Sequence, residues 1–218
     1  MSIQKFGDSF EISKLLRARD LARHITYELS SLINVGMKEE EAHLLYKELC
    51  FKHQIEKQWH PPKIRFGKNT LKNFRDPSDD YILQNDDLFF IDIGPLIEGH
   101  EADFGATFVL GSNYEHKKIA QASQAIFQEV SDFWKNHKTS GGPLYEYATQ
   151  KARERGYELN MNSDGHRISD FPHHLFYKGG LAECEEKVIA NAWILEIHLS
   201  DSKQQFGAFF EDLLTDEL

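Results

Sequence analysis

The sequence predicts an α+β fold, and three observations lead there. Three segments repeat apolar residues at helical spacing, and a fourth helix is bounded by Pro143 and Gly156. Short segments rich in Phe, Ile and Val stand between and after them at strand length. The two kinds alternate without the regular strand-helix-strand rhythm of a doubly wound sheet.

The elements follow in order. Leu15, Ala18, Ala22, Ile25, Leu29 and Leu32 recur at three- and four-residue steps, which predicts a helix over 12–34 with Gly36 as its stop. A second helix is expected over 38–57. Glu39, Glu40 and Glu41 occupy its first turn, where carboxylates complement the helix dipole, and Leu44, Leu45 and Leu49 form its stripe. Trp59-His60-Pro61-Pro62 then breaks helical structure. Residues 63–66 read as a short strand, Gly67-Lys68-Asn69-Thr70 as a turn and 71–87 as polar loop. Two strong strands, 88–93 and 102–110, read as a hairpin with Pro95 and Gly99 in the connection. A third helix over 114–137 presents Ile119, Ala122, Ile126, Val130 and Phe133 on one face. Pro143 suits the first position of a fourth helix, and Gly156 ends it. Shorter strands are expected over 192–199 and 206–213. The expectation is one domain over residues 1–218.

Composition narrows the partners. With 40% apolar residues and 16 Phe, 8 Tyr and 3 Trp, the chain can bury a large core without disulfides. Its net charge of -10 argues against nucleic acid, whose phosphates need a positive surface. Cys50 and Cys184 lie far apart and match neither zinc-finger spacing nor a disulfide framework, so they read as small apolar fillers. The polar N-terminus shows no apolar signal region, and no apolar run approaches the ~18 residues of a membrane span. A cytoplasmic location is therefore expected, away from membranes.

Chemistry is concentrated in misplaced charges. Asp92 is the only charge in FFIDI, and Asp103 lies in the return strand. A hairpin closing symmetrically at Ile97-Glu98 would set the two opposite each other, about 5 Å apart on one face. Carboxylates that close repel unless a proton or a cation lies between them. Glu196 in AWILEIHL and Glu211 in FGAFFEDLL repeat the anomaly, and an acid in an apolar strand is costly without a partner. Asp212, the alternation partner of Glu211, should face the other side. His166 follows Gly165, which permits close backbone approach. On these residues alone a metal site competes with a plainer arrangement, in which Asp103 caps a turn and Asp92 pairs with a distant lysine.

The order Asp92, Asp103, His166, Glu196, Glu211 resembles the ligand order of the pita-bread metallopeptidases. That group includes methionine aminopeptidase, aminopeptidase P, prolidase and the non-peptidase creatinase. The resemblance runs from about residue 12 to the end. The eleven-residue step from Asp92 to Asp103, the Asp-Ile-Gly after the first acid, Thr107 four residues after the second, His173 seven after His166 and the closing FGAFFED all match the family pattern. The resemblance implies a pseudo-two-fold curved antiparallel sheet flanked by helices. It also implies two divalent metal ions, with Asp92 on one, His166 and Glu196 on the other, and Asp103 and Glu211 bridging. Such a donor set suits Mn, Co or Fe and admits Zn. The implied activity is hydrolysis of the N-terminal bond of a peptide with a free N-terminus, as an aminopeptidase or Xaa-Pro-type peptidase, through a hydroxide shared by the metals. Glu196 would carry the proton and His173 would hydrogen-bond the substrate. A monomer or a homodimer is expected.

The sequence also departs from that pattern. Eighteen residues before Asp92, where the family carries a histidine, stands Phe74, and no histidine lies between His60 and Asp92. Phe74 would then line the substrate pocket. His198, two residues after Glu196 and so on the same strand face, is expected to join the catalytic set, with His60 a second candidate to compensate. The family's Gly-His-Gly-x-Gly becomes Gly165-His166-Arg167-Ile168-Ser169, which places Arg167 as a group to bind a substrate carboxylate. Two other readings stay open: a silent binding or scaffold member of the fold, and a creatinase-like C–N hydrolase.

Overall fold

A computed structural model describes residues 2–216. In chain order the elements are α1 (Ile12–Leu32), α2 (Glu39–Lys52), β1 (Lys57–Phe66), β2 (Leu88–Ile97), β3 (His100–Glu101), β4 (Phe104–Val109), α3 (Tyr114–His137), α4 (Gly141–Glu154), β5 (Tyr157–Leu159), β6 (His166–Arg167), β7 (Trp193–Asp201) and β8 (Gly207–Leu213). The strands form one antiparallel sheet in the order β1-β2-β4-β8-β7-β5, with β3 pairing β2 and β6 pairing β7 off that path.

The chain traverses this architecture twice. Helices α1 and α2 precede β1, β2 and β4; helices α3 and α4 precede β5, β7 and β8. In each half the first helix packs on inner strands (α1 on β2 and β4, α3 on β7 and β8) and the second on the edge strand (α2 on β1, α4 on β5). Strands β4 and β8 pair at the centre, joining the halves.

The stripes of α1 and α3 act largely as predicted, but Leu32 is exposed, and α2 buries Ala42, Tyr46, Leu49 and Cys50 while Leu44 of its expected stripe is exposed. Leu15, Ala18, Ala22, Ile25 and Leu29 are the buried face of α1, and Ile119, Ala122, Ile126 and Val130 that of α3. Apart from Leu15, which packs with Ile168, Ile194 and Leu213, they meet Ile91, Ile93, Leu195 and Ile197 of the sheet in one core. Because strand side chains alternate, Asp92 and Glu196 point to the sheet face turned away from the helices.

Three local expectations change. Helix α2 stops at Lys52, five residues early, and the Trp59–Pro62 segment lies inside β1 rather than in a loop. Two register shifts, between Gln58 and His60 and between His60 and Lys63, leave Pro61 and Pro62 outside the ladder. β1 is an edge strand, where prolines and bulges are tolerated. Second, α4 begins two residues before Pro143. Third, the hairpin closes at Glu98-Gly99, whose φ values of 50° and 78° fit a two-residue turn of the type that matches strand twist. Ile97 pairs His100 and Asp92 pairs Gly105, so Asp92 does not face Asp103 directly. The register differs from the expected one by two residues, an even number, so Asp103 keeps its face and sits diagonally from Asp92.

Candidate metal centre

One rung of the sheet assembles most of the site. Asp92 on β2 pairs Gly105 on β4, Gly105 pairs Glu211 on β8, and Glu211 pairs Glu196 on β7. Three acids from three strands therefore share one level, and the fourth position has no side chain. A Cβ at Gly105 would lie 2.5 Å from a Phe209 ring carbon and 2.8 Å from Glu211 Oε1. The glycine is what lets the carboxylates converge.

Asp103 enters from the break between β3 and β4. His166 Nε2 lies 2.8 Å from Asp103 Oδ2, and His60 Nε2 lies 3.3 Å from Asp103 Oδ1. Each oxygen of one carboxylate thus faces its own histidine. His60 Nε2 is also 3.5 Å from Asp92 Oδ1, and His166 Nε2 is 3.7 Å from Glu196 Oε1. The two imidazoles are oriented alike. His60 Nδ1 donates to the Pro61 carbonyl at 3.0 Å and His166 Nδ1 to the Arg167 carbonyl at 2.7 Å, which aims both Nε2 atoms inward. Metal-binding histidines are held in this way by a partner on the other nitrogen.

The charges are poorly matched for a site left to itself. Burial, reinforced by the carboxylate of Asp103, pushes Asp92 up to about 6 despite the pull of His60. Burial pushes Glu196 up to about 7 and, with the repulsion of Asp103 and Asp92, raises Glu211 well above the usual carboxylate range. Burial also opposes ionisation of Asp103, but His60 and His166 outweigh it and hold Asp103 down to about 2. For His60 and His166 burial again works against charge, and the surrounding carboxylates outweigh it to raise both to about 9.

Neighbouring acids on β8 show what is missing. Asp212 is buried and bonded to Arg19 at 2.6 Å and Arg23 at 2.9 Å, on the face opposite Glu211, as the alternation predicts. Glu211 is equally buried, yet among the described residues its Oε1 has no hydrogen-bond partner, and neither does Oδ1 of Asp92. Lys63, the cross-strand neighbour of Asp92, places its ammonium over the Phe74 ring at 4.3 Å. A buried acceptor without a donor costs stability, and a cation removes that cost. Ligand atoms of His60, Asp92 and Asp103 lie within 4.8 Å of one another, as do those of Asp103, His166 and Glu211. Imidazole and carboxylate donors converging on two orphaned oxygens fit divalent metal.

The site lies in a cavity of about 310 Å³ with an aromatic wall of Trp59, Phe74, Phe90 and Phe209. His173 also lines it. Its Nδ1 lies 2.7 Å from Glu101 Oε2 while its backbone N–H donates to Glu101 Oε1 at 3.0 Å, and burial lowers its pKa. A neutral ring that donates from Nδ1 presents Nε2 as an acceptor. Glu101 escaped the sequence reading, although a fully buried acid two residues before Asp103 is the same kind of anomaly as Asp103 itself. Phe74 stands half-exposed at the cavity wall, its ring 5.6 Å from that of His60.

Two expectations are corrected. Arg167 does not reach the cavity. It is fully buried, donates to the carbonyls of Ala192 and Lys5, and lies over the rings of Phe6 and Trp193. On the two-residue strand β6 it alternates with His166, so the side chain that follows an inward ligand must point away. His198 does line the cavity, but both nitrogens are engaged: Nε2 donates to the Thr70 carbonyl at 2.7 Å and Nδ1 accepts from Asn160 at 3.1 Å. It is a clamp between segments rather than a free base beside Glu196. His60, only a candidate on the sequence, is brought among the acids together with His166.

Comparison with known proteins agrees with this geometry. Residues 13–213 match the profile of metallopeptidase family M24. A curated relative, methionine aminopeptidase 1D, mitochondrial, from Danio rerio, is 26% identical over 126 residues, covering 54% of this chain and 36% of its own length. The chain thus spans about a third of that relative. Among solved structures, the prolidase of Pyrococcus horikoshii superposes with a TM-score of 0.76 at 21% identity, covering 94% of this chain and 59% of that one. The X-Pro aminopeptidase of Thermotoga maritima gives 0.76 at 20% identity, covering 99% and 64%. The methionine aminopeptidase of Thermotoga maritima gives 0.74 at 13% identity, covering 95% and 97%. These likenesses establish the pita-bread fold expected from the sequence. With its profile match running from α1 to the end of β8, the chain belongs to metallopeptidase family M24.

Proposed function

We propose that this chain is a metal-dependent peptidase that hydrolyses the N-terminal bond of peptides carrying a free amine, working with two divalent ions, Mn, Co or Fe, with Zn admissible. We read residues 1–218 as one catalytic unit. The observation that carries the two-ion reading is Asp103, whose two oxygens face His60 and His166 separately. Asp92, Asp103, His166, Glu196 and Glu211 would hold the ions, with Asp92 serving one, His166 and Glu196 the other, and Asp103 and Glu211 available to both. Bound there, such ions supply Lewis acidity, lowering the pKa of water and polarising a carbonyl.

The protein's own groups do the rest. Glu196, which lines the cavity beside His166, is placed to take a proton from the attacking water and return it to the departing amine. His173, fixed by Glu101, offers Nε2 as an acceptor for a substrate N–H. Trp59, Phe74, Phe90 and Phe209 supply apolar surface for a side chain and keep bulk water from the reacting bond.

The test is a screen of the metal-loaded protein against peptides varied at the first and second residues, each paired with its N-acetylated form. Cleavage confined to free-amine peptides is the expected result. Two bound ions with no cleavage of any free-amine peptide would sink the reading.

A further inference from the structure

We propose that His60 is a sixth metal ligand, its Nε2 joining Asp92 and Asp103 on one ion while His166 serves the other. The inference rests on the metal-binding reading of the site and adds to it a residue from the edge strand β1.

Four independent features of the chain point His60 at this task. The first is donor geometry. Two ligand atoms each about 2.1 Å from one ion, separated by 90–110°, stand about 3.0–3.4 Å apart. His60 Nε2 is 3.3 Å from Asp103 Oδ1 and 3.5 Å from Asp92 Oδ1, so an ion among the three atoms needs only small adjustments. The second is ring orientation. Nδ1 donates to the carbonyl of Pro61, which leaves the lone pair of a neutral ring on Nε2, directed at two carboxylate oxygens. Once that ring gives up its proton, three electron-pair donors face one another, one of them the orphaned Asp92 Oδ1, and a cation takes the place of the proton between them.

The third is the space cleared for the ring. His60 pairs Gly94, and a Cβ at Gly94 would lie 2.0 Å from His60 Cδ2 and 2.1 Å from His60 Nε2. Any side chain at 94 would occupy the place where the imidazole enters. The fourth is the backbone that delivers it. Register shifts on both sides of His60, followed by two prolines, turn this stretch of β1 out of the regular ladder. Trp59 anchors the stretch by donating from its indole to the Ala102 carbonyl at 2.8 Å, next to Asp103. Bulges that re-aim a side chain are a feature of functional sites.

The consequence is a donor set of four carboxylates and two imidazoles, with one imidazole for each ion. A second nitrogen ligand moves preference toward Zn and Co relative to Mn.

The experiment is NMR of the full chain loaded with the spin-half isotope of cadmium and carrying histidine labelled with the spin-half isotope of nitrogen. Two cadmium resonances, each split by a directly bound imidazole nitrogen, are expected. In His60→Ala one of the two should lose its splitting and its ion should bind more weakly by at least the ~10–100-fold that loss of an outer partner costs. Gly94→Ala, which leaves the histidine in place but takes its room, should weaken the same ion, and it stands in if His60→Ala misfolds. A wild-type spectrum with two cadmium resonances and only one split by nitrogen overturns the ligand role of His60 and leaves the two-ion reading standing. A wild-type protein that takes up no cadmium overturns both.

Discussion

The two halves of the sheet solve one problem in opposite ways. In the first half the inner strand β2 carries Asp92 and, two residues on, Gly94, which pairs His60 of the edge strand. In the second half β7 carries Glu196 and, two residues on, His198, whose carbonyl accepts from the backbone N–H of Asn160 just past the edge strand β5. In the second half the histidine stands on the inner strand, and Asn160 rather than a glycine lies beside it. Where the inner position is glycine, the edge histidine passes over it and reaches the acids. Where the inner position is histidine, it fills that space itself and spends both nitrogens on Thr70 and Asn160. The second half takes the histidine that faces its acids from elsewhere, the short strand β6, where His166 pairs Ile194. A histidine's role here follows from what its other nitrogen holds and what stands across the strand, more than from its distance to an acid in sequence.

The sharpest way to break this comparison is at the residue both halves share. Asp103→Ala removes the carboxylate that faces both histidines, so both ions should be weakened together, beyond the ~10–100-fold cost of losing an outer partner, and peptidase activity should fall to background. Calorimetry with Mn or Co reads this directly. Retention of two ions at wild-type affinity would refute the sharing.

The next effect concerns the metal-free protein and pH. Asp92, at about 6, and Glu196, at about 7, hold protons in the folded chain at pH values where the unfolded chain has released them, and Glu211 is shifted the same way. His60 and His166, at about 9, do likewise above the ordinary histidine range. These groups therefore bind more protons in the native state than in the unfolded state from about pH 4 to about pH 9, and the stability they contribute is lost as pH rises through that window. His173 and His198, lowered by burial, work in the opposite sense near the ordinary histidine range. Asp103, held at about 2, works in the opposite sense, and only below the ordinary aspartate value. The expected outcome is a melting temperature of the metal-free protein that falls with rising pH, and a slope that saturating metal removes because ions replace the protons. Equal slopes with and without metal would separate these groups from metal binding.

A smaller effect is expected at Gly105. An added methyl meets the Phe209 ring and Glu211 Oε1, so Gly105→Ala should cost about 1–3 kcal/mol in folding and weaken the ions that Glu211 touches. Denaturant unfolding with and without metal separates the two losses: a larger loss in the loaded protein marks damage to the site, and equal losses mark packing alone.

Much of this was legible in the chain. Helical stripes and the misplaced acids Asp92, Glu196 and Glu211 follow from simple alternation, and so does the opposite facing of Asp212. The hairpin register was off by two residues because either Ile97-Glu98 or Glu98-Gly99 closes a symmetric loop, and the backbone chose the pair able to take positive φ. Parity protected the inference, since an even shift leaves Asp103 on its face. What was hidden depends on contacts between distant segments: Glu101 behind His173, Arg167 turned inward to Phe6 and Trp193, and above all the bulges that carry His60 into the site. A prolyl pair reads as a break in any local analysis; that it belongs to an edge strand shows only when the strand has a neighbour.

The finest test of the contrast between the halves is His198. Its Nε2 donates to a buried carbonyl and its Nδ1 accepts from Asn160, while Phe90 and Phe209 flank the ring. Burial lowers its pKa, which keeps the ring neutral and the pattern of donor and acceptor fixed at working pH. His198→Ala leaves the Thr70 carbonyl and the Asn160 amide without partners, a loss of about 1–3 kcal/mol in folding. Because neither nitrogen faces the acids, ion affinity should stay within about threefold of wild type, well inside the ~10–100-fold that a coupled outer partner would cost. His60→Ala, by contrast, should lose an ion as well as the pairing that His60 gives Asp92 and Asp103 in the metal-free protein. If His198→Ala instead costs an ion and His60→Ala does not, the assignment of roles between the two halves is reversed, and the glycine at 94 is open space rather than a passage for a ligand.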